Sequence, residues 1–268
     1  TGRADSITGI FSPRRTRYEV MATHALVRRL PGTDQSGAGT QPLYVYQEAE
    51  GSLVKRLRID IGGVRPLVIE GYVKVPEVRA DLKLTSPAGE LILEGDIFNG
   101  ELALSGAILL TDSGEQRLGE LPAGGVVHVS LKYGQVYYLQ YGQVTNGFPE
   151  RIMGSINYWD KDLYRRYQFL EAIFPSQSWE PGQGIYLIGW AKSSPLDVEI
   201  VGKPYRTSSE VLYIYTLPVE LQLGPEVSIS PLATRRQVYS QAGDVRIEDS
   251  AFVLGQASEI VLVFSIWP

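Results

Sequence analysis

Cysteine and histidine, which most often supply nucleophiles, general bases and metal ligands, are scarce in this chain. None of the 268 residues is cysteine, and two are histidine, His24 and His128. The lack of cysteine excludes disulfides, thiolate metal sites and cysteine nucleophiles. His128 lies on the polar face of an alternating Val-Val-His-Val-Ser segment, and we interpret both histidines as structural. The sequence therefore predicts no catalytic residue, no metal site and no cofactor.

Glycine-rich and serine-centred catalytic motifs are missing as well. No Gly-x-x-x-x-Gly-Lys-Ser/Thr loop and no strand–Gly-x-Gly-x-x-Gly–helix unit occurs. A Gly-x-Ser-x-Gly nucleophile elbow is also absent. We therefore expect a non-enzyme, without turnover of common ester, peptide, phosphate or glycoside substrates.

Paired carboxylates are the one catalytic arrangement that the sequence leaves open. A glycoside hydrolase needs two carboxyl groups roughly 5–10 Å apart in a cleft, and such a pair has no fixed sequence spacing. Glu94 and Asp96 share one strand face, as do Asp197 and Glu199. We interpret both pairs as solvated strand faces. A carboxylate-dependent glycoside hydrolase remains an alternative function.

Aromatic residues are the compositional feature with the clearest link to binding. The chain has 16 Tyr and 4 Trp. Exposed rows of such rings stack on sugars and anchor protein interfaces, whereas buried tyrosines in strands serve packing. The strand-like or helix-adjacent examples are Tyr44-Val-Tyr46, Tyr137-Tyr138, Tyr141, Tyr158-Trp159 and Tyr213-Ile-Tyr215. Burial is the favoured interpretation, and a carbohydrate-binding module with exposed Tyr and Trp is the second alternative.

The elements that must position these residues are mainly strands. Residues 56–61 and 79–84 alternate between apolar and polar side chains, which predicts strands with one buried face. Residues 43–46, 211–217 and 260–266 are continuously apolar, which predicts strands covered on both faces. Gly and Asn turn signals separate these segments. The predicted fold is mainly β, with two β-sandwich-like subdomains.

One segment has the period of a helix. Leu163, Tyr167, Leu170 and Phe174 form an apolar stripe at spacings of four, three and four residues. The pattern predicts an amphipathic helix near 158–174, with Asn157 as the N-cap. We expect its stripe, with Leu170 at the middle, to pack on a sheet.

Residues 90–131 contain four strand patterns about ten residues apart, which is typical of a β-sandwich. Within them, Glu-Gly-Asp-Ile-Phe-Asn-Gly precedes Arg-Leu-Gly-Glu-Leu-Pro-Ala-Gly-Gly and a final strand. This order resembles the immunoglobulin-like domains of bacterial surface and membrane-anchored proteins. The resemblance implies an immunoglobulin-like or jelly-roll-like sandwich in a surface setting, and it implies no catalytic residue.

The remaining expectations concern partners, domain boundaries and cellular setting. The formal net charge of −5 indicates no nucleic-acid partner. We place a domain boundary near residue 140, with an immunoglobulin-like sandwich over 1–140 and a second β-rich domain, containing the helix, over 141–268. We expect a non-catalytic, extracytoplasmic binding or structural module with a protein or carbohydrate partner. Membrane attachment is expected only through segments outside this chain, in a longer exported parent protein.

Overall fold

A computed structural model describes residues 1–30, 42–87, 91–111, 115–132, 148–153, 159–173, 184–222, 235–241, 244–250 and 260–266. These residues form a mainly β fold, as predicted. The strands are β1 Gly2–Ser12, β2 Thr16–Thr23, β3 Ala25–Arg29, β4 Tyr44–Glu48, β5 Gly51–Ile59, β6 Gly63–Val73, β7 Val78–Thr85, β8 Ile92–Asn99, β9 Leu104–Thr111, β10 Glu115–Leu121, β11 Val126–Lys132, β12 Ile185–Ala191, β13 Val198–Ile200, β14 Ser209–Thr216, β15 Val219–Gln222, β16 Arg235–Gln241, β17 Asp244–Ser250 and β18 Ile260–Ile266. The helices are α1 Phe148–Met153 and α2 Lys161–Ile173.

The strands of the described ranges form four sheets. Sheet A has eight strands in the order β10-β9-β12-β14-β18-β1-β6-β3. Sheet B has the order β13-β2-β5-β4, sheet C the order β11-β8-β7-β15, and β16 pairs with β17. Most neighbours are antiparallel, whereas β1 with β18 and β7 with β15 are parallel. Because β1 and β18 come from opposite ends of the sequence, sheet A joins the first and last of the described strands.

The main core lies between one face of sheet A and the inner faces of sheets B and C, giving the sandwich-like arrangement that the sequence predicted. One hydrophobic cluster contains apolar residues from all three sheets, such as Ile69 of β6, Val54 of β5 and Leu93 of β8. The polar residues that alternate with apolar ones along each outer strand point to solvent. In β5, for example, Leu57 and Ile59 are buried while Arg56 and Arg58 are exposed. The period-2 pattern thus decides which face of each outer sheet enters the core.

A second, smaller cluster lies on the opposite face of sheet A, beneath the two helices. Its strand residues are Ile108, Leu110, Ile188, Trp190, Leu212 and Ile214, and its helix residues are Ile152 and Leu170. Strands β9, β12 and β14 are therefore buried on both faces. This explains why their sequences are continuously apolar rather than alternating.

Helix α2 begins three residues later than predicted. Asp160 is the N-cap, because its Oδ1 accepts hydrogen bonds from the backbone N–H groups of Asp162 and Leu163, at 3.0 and 3.1 Å. The predicted cap, Asn157, lies outside the described residues. The expectation for the apolar stripe is confirmed at Leu170, which is fully buried against sheet A. The last stripe residue, Phe174, also lies outside the described residues.

A part-buried ion pair holds α2 on the sheet. Arg166 Nε donates to Glu210 Oε1 of β14 at 2.7 Å, and its Nη2 donates to Ser105 Oγ of β9 at 3.2 Å. The guanidinium carbon also lies 5.0 Å from the ring centroid of Trp190. One side chain therefore connects the helix to three neighbouring strands, which adds a directional contact to the apolar packing.

The segment with the immunoglobulin-like resemblance forms two facing pairs of strands. β8 and β11 belong to sheet C, whereas β9 and β10 belong to sheet A. The asparagine of the motif, Asn99, is buried, and its Nδ2 donates to the carbonyls of Leu102, Leu121 and Pro122 at 2.6, 3.1 and 2.8 Å. The motif therefore has a packing role: Asn99 fastens the β10–β11 turn to the end of β8.

Two further expectations concern residues 43–46 and the domain boundary. Residues 43–46 were predicted to be covered on both faces, and this is wrong, because Tyr44 and Tyr46 are 50% and 49% exposed. β4 is an edge strand of sheet B, so only its inward residue Val45 packs on the core.

The boundary near residue 140 falls outside the described residues and stays a prediction. Sheet A contains strands from both sides of it.

Candidate binding cleft

A cleft of about 480 Å³ opens where the tip of the β4–β5 hairpin passes the edge of sheet A. Its floor is the outer face of strands β1, β6 and β3, which contribute Arg3, Leu26, Glu70 and Tyr72. Its wall is the hairpin tip over residues 47–51. Among the described strands, β3 is the last one of sheet A, and the hairpin tip lies beside its edge.

The wall is fixed by a corner at which the chain passes from sheet B to sheet A. His24 joins β2 to β3 with φ of +53°, in the left-handed region that histidine tolerates better than most residues. Its backbone N–H donates to the Glu50 carbonyl at 2.6 Å. Gly51, with φ of +150°, follows at once, and a Cβ there would lie 2.1 Å from the Ala22 carbonyl oxygen. Glycine is thus required for the hairpin to approach the corner so closely.

A buried hydroxyl ties the same hairpin to the edge strand of sheet A. Ser52 Oγ donates to the Ala25 carbonyl at 2.7 Å and accepts a hydrogen bond from the Val27 N–H at 3.2 Å. The serine is fully buried. Both bonds involve strand β3, so a side chain of sheet B satisfies backbone groups at this edge of sheet A. Such satisfied buried bonds keep the wall of the cleft in one position relative to its floor.

Acidic side chains outnumber basic ones in the lining of the cleft. Its lining has the carboxylates of Glu48, Glu50 and Glu70 against the single guanidinium of Arg3. Arg3 forms a 3.0 Å salt bridge with Asp5 on the same strand face. The hydrogen bond and charge of Asp5 raise the pKa of Arg3 above its ordinary value. Glu70 is paired with Arg28. Over the described part of the chain, Glu48 and Glu50 have no salt bridge, so the cleft carries net negative charge.

The floor also presents apolar surface. Tyr72 is 75% exposed and Leu26 is 59% exposed. Tyr72 lies directly opposite Arg3 across the β1–β6 pair, and Leu26 lies opposite Glu70 across the β3–β6 pair. An exposed aromatic ring among carboxylates is suited to hold a ligand by ring contact and by charge at the same time.

The residues considered from sequence lie in other places. His128 Nδ1 is 2.9 Å from Asp96 Oδ1, on the solvent-facing side of sheet C. Glu94 lies on that same outward face, because it opposes Ser130 as Asp96 opposes His128. The interpretation of this carboxylate pair as a solvated strand face agrees with these positions. Asp197 and Glu199 are likewise exposed.

The tyrosine pairs separate into two classes. Tyr213 and Tyr215 are buried in the core, with ring centroids 6.0 Å apart in a stacked arrangement, as the packing interpretation expects. Burial raises the pKa of Tyr213 to about 12. Tyr44 and Tyr46 instead lie on the outer face of sheet B, where Lys55 Nζ is 4.9 Å from the Tyr46 ring centroid. Residues 137, 138, 141 and 158 lie outside the described residues.

Sequence reasoning missed every residue that lines the cleft except His24, which was judged structural. The lining comes from strands β1, β3 and β6 and from the β4–β5 hairpin, and no local motif connects them. One signal was present: Glu70 and Tyr72 stand at a spacing of two on the same face of β6. An aromatic side chain beside a carboxylate on one strand face is a reason to look for a ligand surface.

The described residues show neither a metal-binding group nor a membrane-spanning helix. Within the described ranges, no three His, Asp or Glu side chains are grouped so that they could hold a metal ion. No helix in the described part of the chain is long and apolar enough to cross a membrane. The fold and the cleft thus define a mainly β protein with helices on one sheet face and an acidic surface cleft.

Comparison with known families assigns the chain to a family but gives no function. The chain belongs to a family defined by a domain of unknown function, DUF8725, whose model matches residues 80–222. No curated protein and no solved structure matches the chain. The matched part begins within β7 and ends with β15, so it contains both helices and the sheet strands that they cover. All the residues that line the cleft precede it.

Proposed function

We propose that the chain is a non-catalytic binding module that uses the cleft between the β4–β5 hairpin and the edge of sheet A. The observation that carries the proposal is the cleft itself: a concave site of about 480 Å³ with an exposed tyrosine, three carboxylates and a fixed wall. Concave sites in which apolar surface and a few polar groups converge are the usual ligand sites of proteins.

The setting proposed for this module is extracytoplasmic, on a bacterial surface protein. Three features support it: the chain lacks cysteine, carries a net charge of −5 and is built mainly of strands. The immunoglobulin-like resemblance of residues 90–131 favours the same setting, and a protein or carbohydrate partner fits it. The check is the parent reading frame, in which we expect an export signal or a membrane helix. A complete parent frame with neither would overturn the surface assignment.

Absence of catalysis is tested by assaying hydrolysis. The cleft does contain carboxylates, so the glycoside hydrolase alternative predicts turnover of chromogenic glycosides that is abolished by Glu48→Gln, Glu50→Gln or Glu70→Gln. We expect no rate above background with the unmodified protein. A reproducible rate that one of these substitutions abolishes would replace the binding-module proposal with the hydrolase.

Carbohydrate binding through Tyr44 and Tyr46 is the second candidate. Both rings are half-exposed on one face of the edge strand β4, with Cα atoms about 7 Å apart. Affinity electrophoresis in gels containing polysaccharide tests this surface. Retardation lost in Tyr44→Ala/Tyr46→Ala but kept in Tyr72→Ala would assign sugar binding to the face of sheet B. Loss in Tyr72→Ala alone would assign it to the cleft.

A further inference from the structure

We infer that the ligand of the cleft is an organic cation, whose ammonium or guanidinium group is held by Glu48 and Glu50 against the ring of Tyr72. This inference rests on the proposed function, because it names the ligand class of the same site. The shared chemistry is a positive group on an aliphatic stem, as in a free polyamine or in the lysine and arginine side chains of a peptide.

Charge is the first argument. Arg3 of the cleft and Arg28 on the same sheet face each have an acidic partner, Asp5 and Glu70. Glu48 and Glu50 are exposed, and no described basic residue forms a salt bridge with either. Their negative charge therefore acts on an incoming ligand. A concave site lined by one sign of charge concentrates ligands of the opposite sign.

The exposed ring of Tyr72 is the second argument. Cations bind over aromatic faces, and a ring that is 75% exposed offers its face to a ligand. The chain uses the same contact elsewhere: Lys203 Nζ lies 4.4 Å from the ring centroid of Tyr18, and Lys55 Nζ lies 4.9 Å from that of Tyr46. Leu26 beside Tyr72 provides apolar surface for the methylene groups of an aliphatic stem.

The spacing of the acidic groups favours an organic cation over a metal ion. A calcium site needs six to eight oxygen ligands that converge on one point. Among the described residues, Glu48, Glu50 and Glu70 are not part of any such grouping. Carboxylates spread along a wall and a floor instead match a ligand of several ångströms in length. The fixed wall also lowers the ordering cost of binding, since Glu50 and Gly51 are already held at the His24 corner.

Isothermal titration calorimetry tests the inference with spermidine and with a short lysine-rich peptide, at about 20 mM and about 150 mM salt. We expect both probes to bind, with weaker binding at the higher salt. Glu48→Gln/Glu50→Gln should lower the affinity at least about tenfold, and Tyr72→Leu several-fold. Spermidine binding without peptide binding would restrict the ligand to small polyamines, and the reverse to peptides; either result supports the inference.

The matched control removes the same charge elsewhere. Asp81→Asn/Glu94→Gln eliminates two carboxylates from the outer face of sheet C, away from the cleft. We expect it to change the affinity by less than about twofold, as long-range effects are screened by salt. Equal losses in both double variants would mean diffuse attraction and would overturn the inference. Thermal unfolding curves that coincide with that of the parent protein exclude loss of folding as the cause.

Two outcomes separate this inference from the proposed function. If neither cation binds at millimolar concentration while a neutral oligosaccharide or an anion binds and Tyr72→Leu abolishes that binding, the ligand class is wrong and the cleft remains a binding site. If cations and neutral probes all fail to bind, both proposals fall. Glycoside turnover that Glu50→Gln abolishes would overturn the proposed function itself, because the cleft would then be a catalytic site.

Discussion

The two halves of the outer face of sheet A have opposite chemistry. On β9, β12 and β14 six outward residues are apolar and no more than 4% exposed, and helices cover them. On β1, β6 and β3 the outward residues include Arg3, Asp5, Glu70 and Arg28, with Tyr72 and Leu26 largely exposed. The first half belongs to the part matched by the family model, and the second half forms the floor of the cleft.

This difference separates the half of the sheet that helices stabilise from the half that carries the proposed binding surface. The covered half gains from burial of large side chains on both faces, at about 25 cal/mol per Å² of apolar surface. On the open half, Tyr72 and Leu26 are 75% and 59% exposed, so they lack that packing and can be changed at little cost. Substitutions of the same kind in the two halves should therefore differ in their effect on the free energy of unfolding.

The largest contrast is expected between two aromatic residues of the two halves. Trp190→Ala should lower the free energy of unfolding by about 3–5 kcal/mol, because the ring is 2% exposed and packs edge-on against Phe169 of α2 at 5.6 Å. Tyr72→Ala should change it by less than about 0.5 kcal/mol. Urea unfolding followed by circular dichroism measures both. Similar losses for the two variants would break the comparison.

A pair of leucines gives the next largest contrast. Leu170→Ala should cost about 2–5 kcal/mol, since Leu170 is the fully buried centre of the α2 stripe. Leu26→Ala, on the open half, should cost less than about 1 kcal/mol because the side chain is 59% exposed. The midpoint of chemical unfolding is the readout. A cost below about 0.5 kcal/mol for Leu170→Ala would show that the helix does not seal this face.

High pH should weaken the covered half through Tyr213. The pKa of about 12 in the folded protein exceeds the ordinary value near 10, so between these values the unfolded chain loses a proton that the folded chain keeps. Stability from this group is therefore intact below pH 10 and falls as the pH rises toward 12, by roughly 1–3 kcal/mol. Tyr213→Phe should flatten the unfolding free energy over this window. An unchanged slope in the variant would refute the assignment to Tyr213.

The ion pairs of the two halves give the smallest contrast. Arg166→Ala should cost roughly 1–2 kcal/mol, because it removes a part-buried pair with Glu210 and a contact with Trp190. Arg28→Ala should cost about 0–1 kcal/mol, since the Arg28 side chain is 60% exposed. A double-mutant cycle with Glu210→Ala isolates the first pair. A coupling energy near zero at Arg166 would make the two halves equivalent in their ion pairs.

The local sequence determined the class of fold and most of the covered half. Alternating segments became strands with one buried face, and the continuously apolar residues 211–215 became a strand buried on both faces. The 3.6-residue period placed α2 and its buried Leu170. These predictions succeed because side-chain direction follows directly from the strand and helix periods. The exception at residues 43–46 arose because an apolar run cannot reveal that its strand lies at a sheet edge.

The cleft was decided by the tertiary structure. Arg3, Glu50 and Tyr72 are separated by 47 and 22 positions in the sequence and meet only because β1 pairs with β6 and because the chain turns from sheet B to sheet A at His24. Strand order and sheet crossing depend on long-range hydrogen bonds and on the summed burial of many strands, which no local window contains. The sequence alone therefore determined which faces are buried, whereas the packing of the sheets determined which exposed residues share a site.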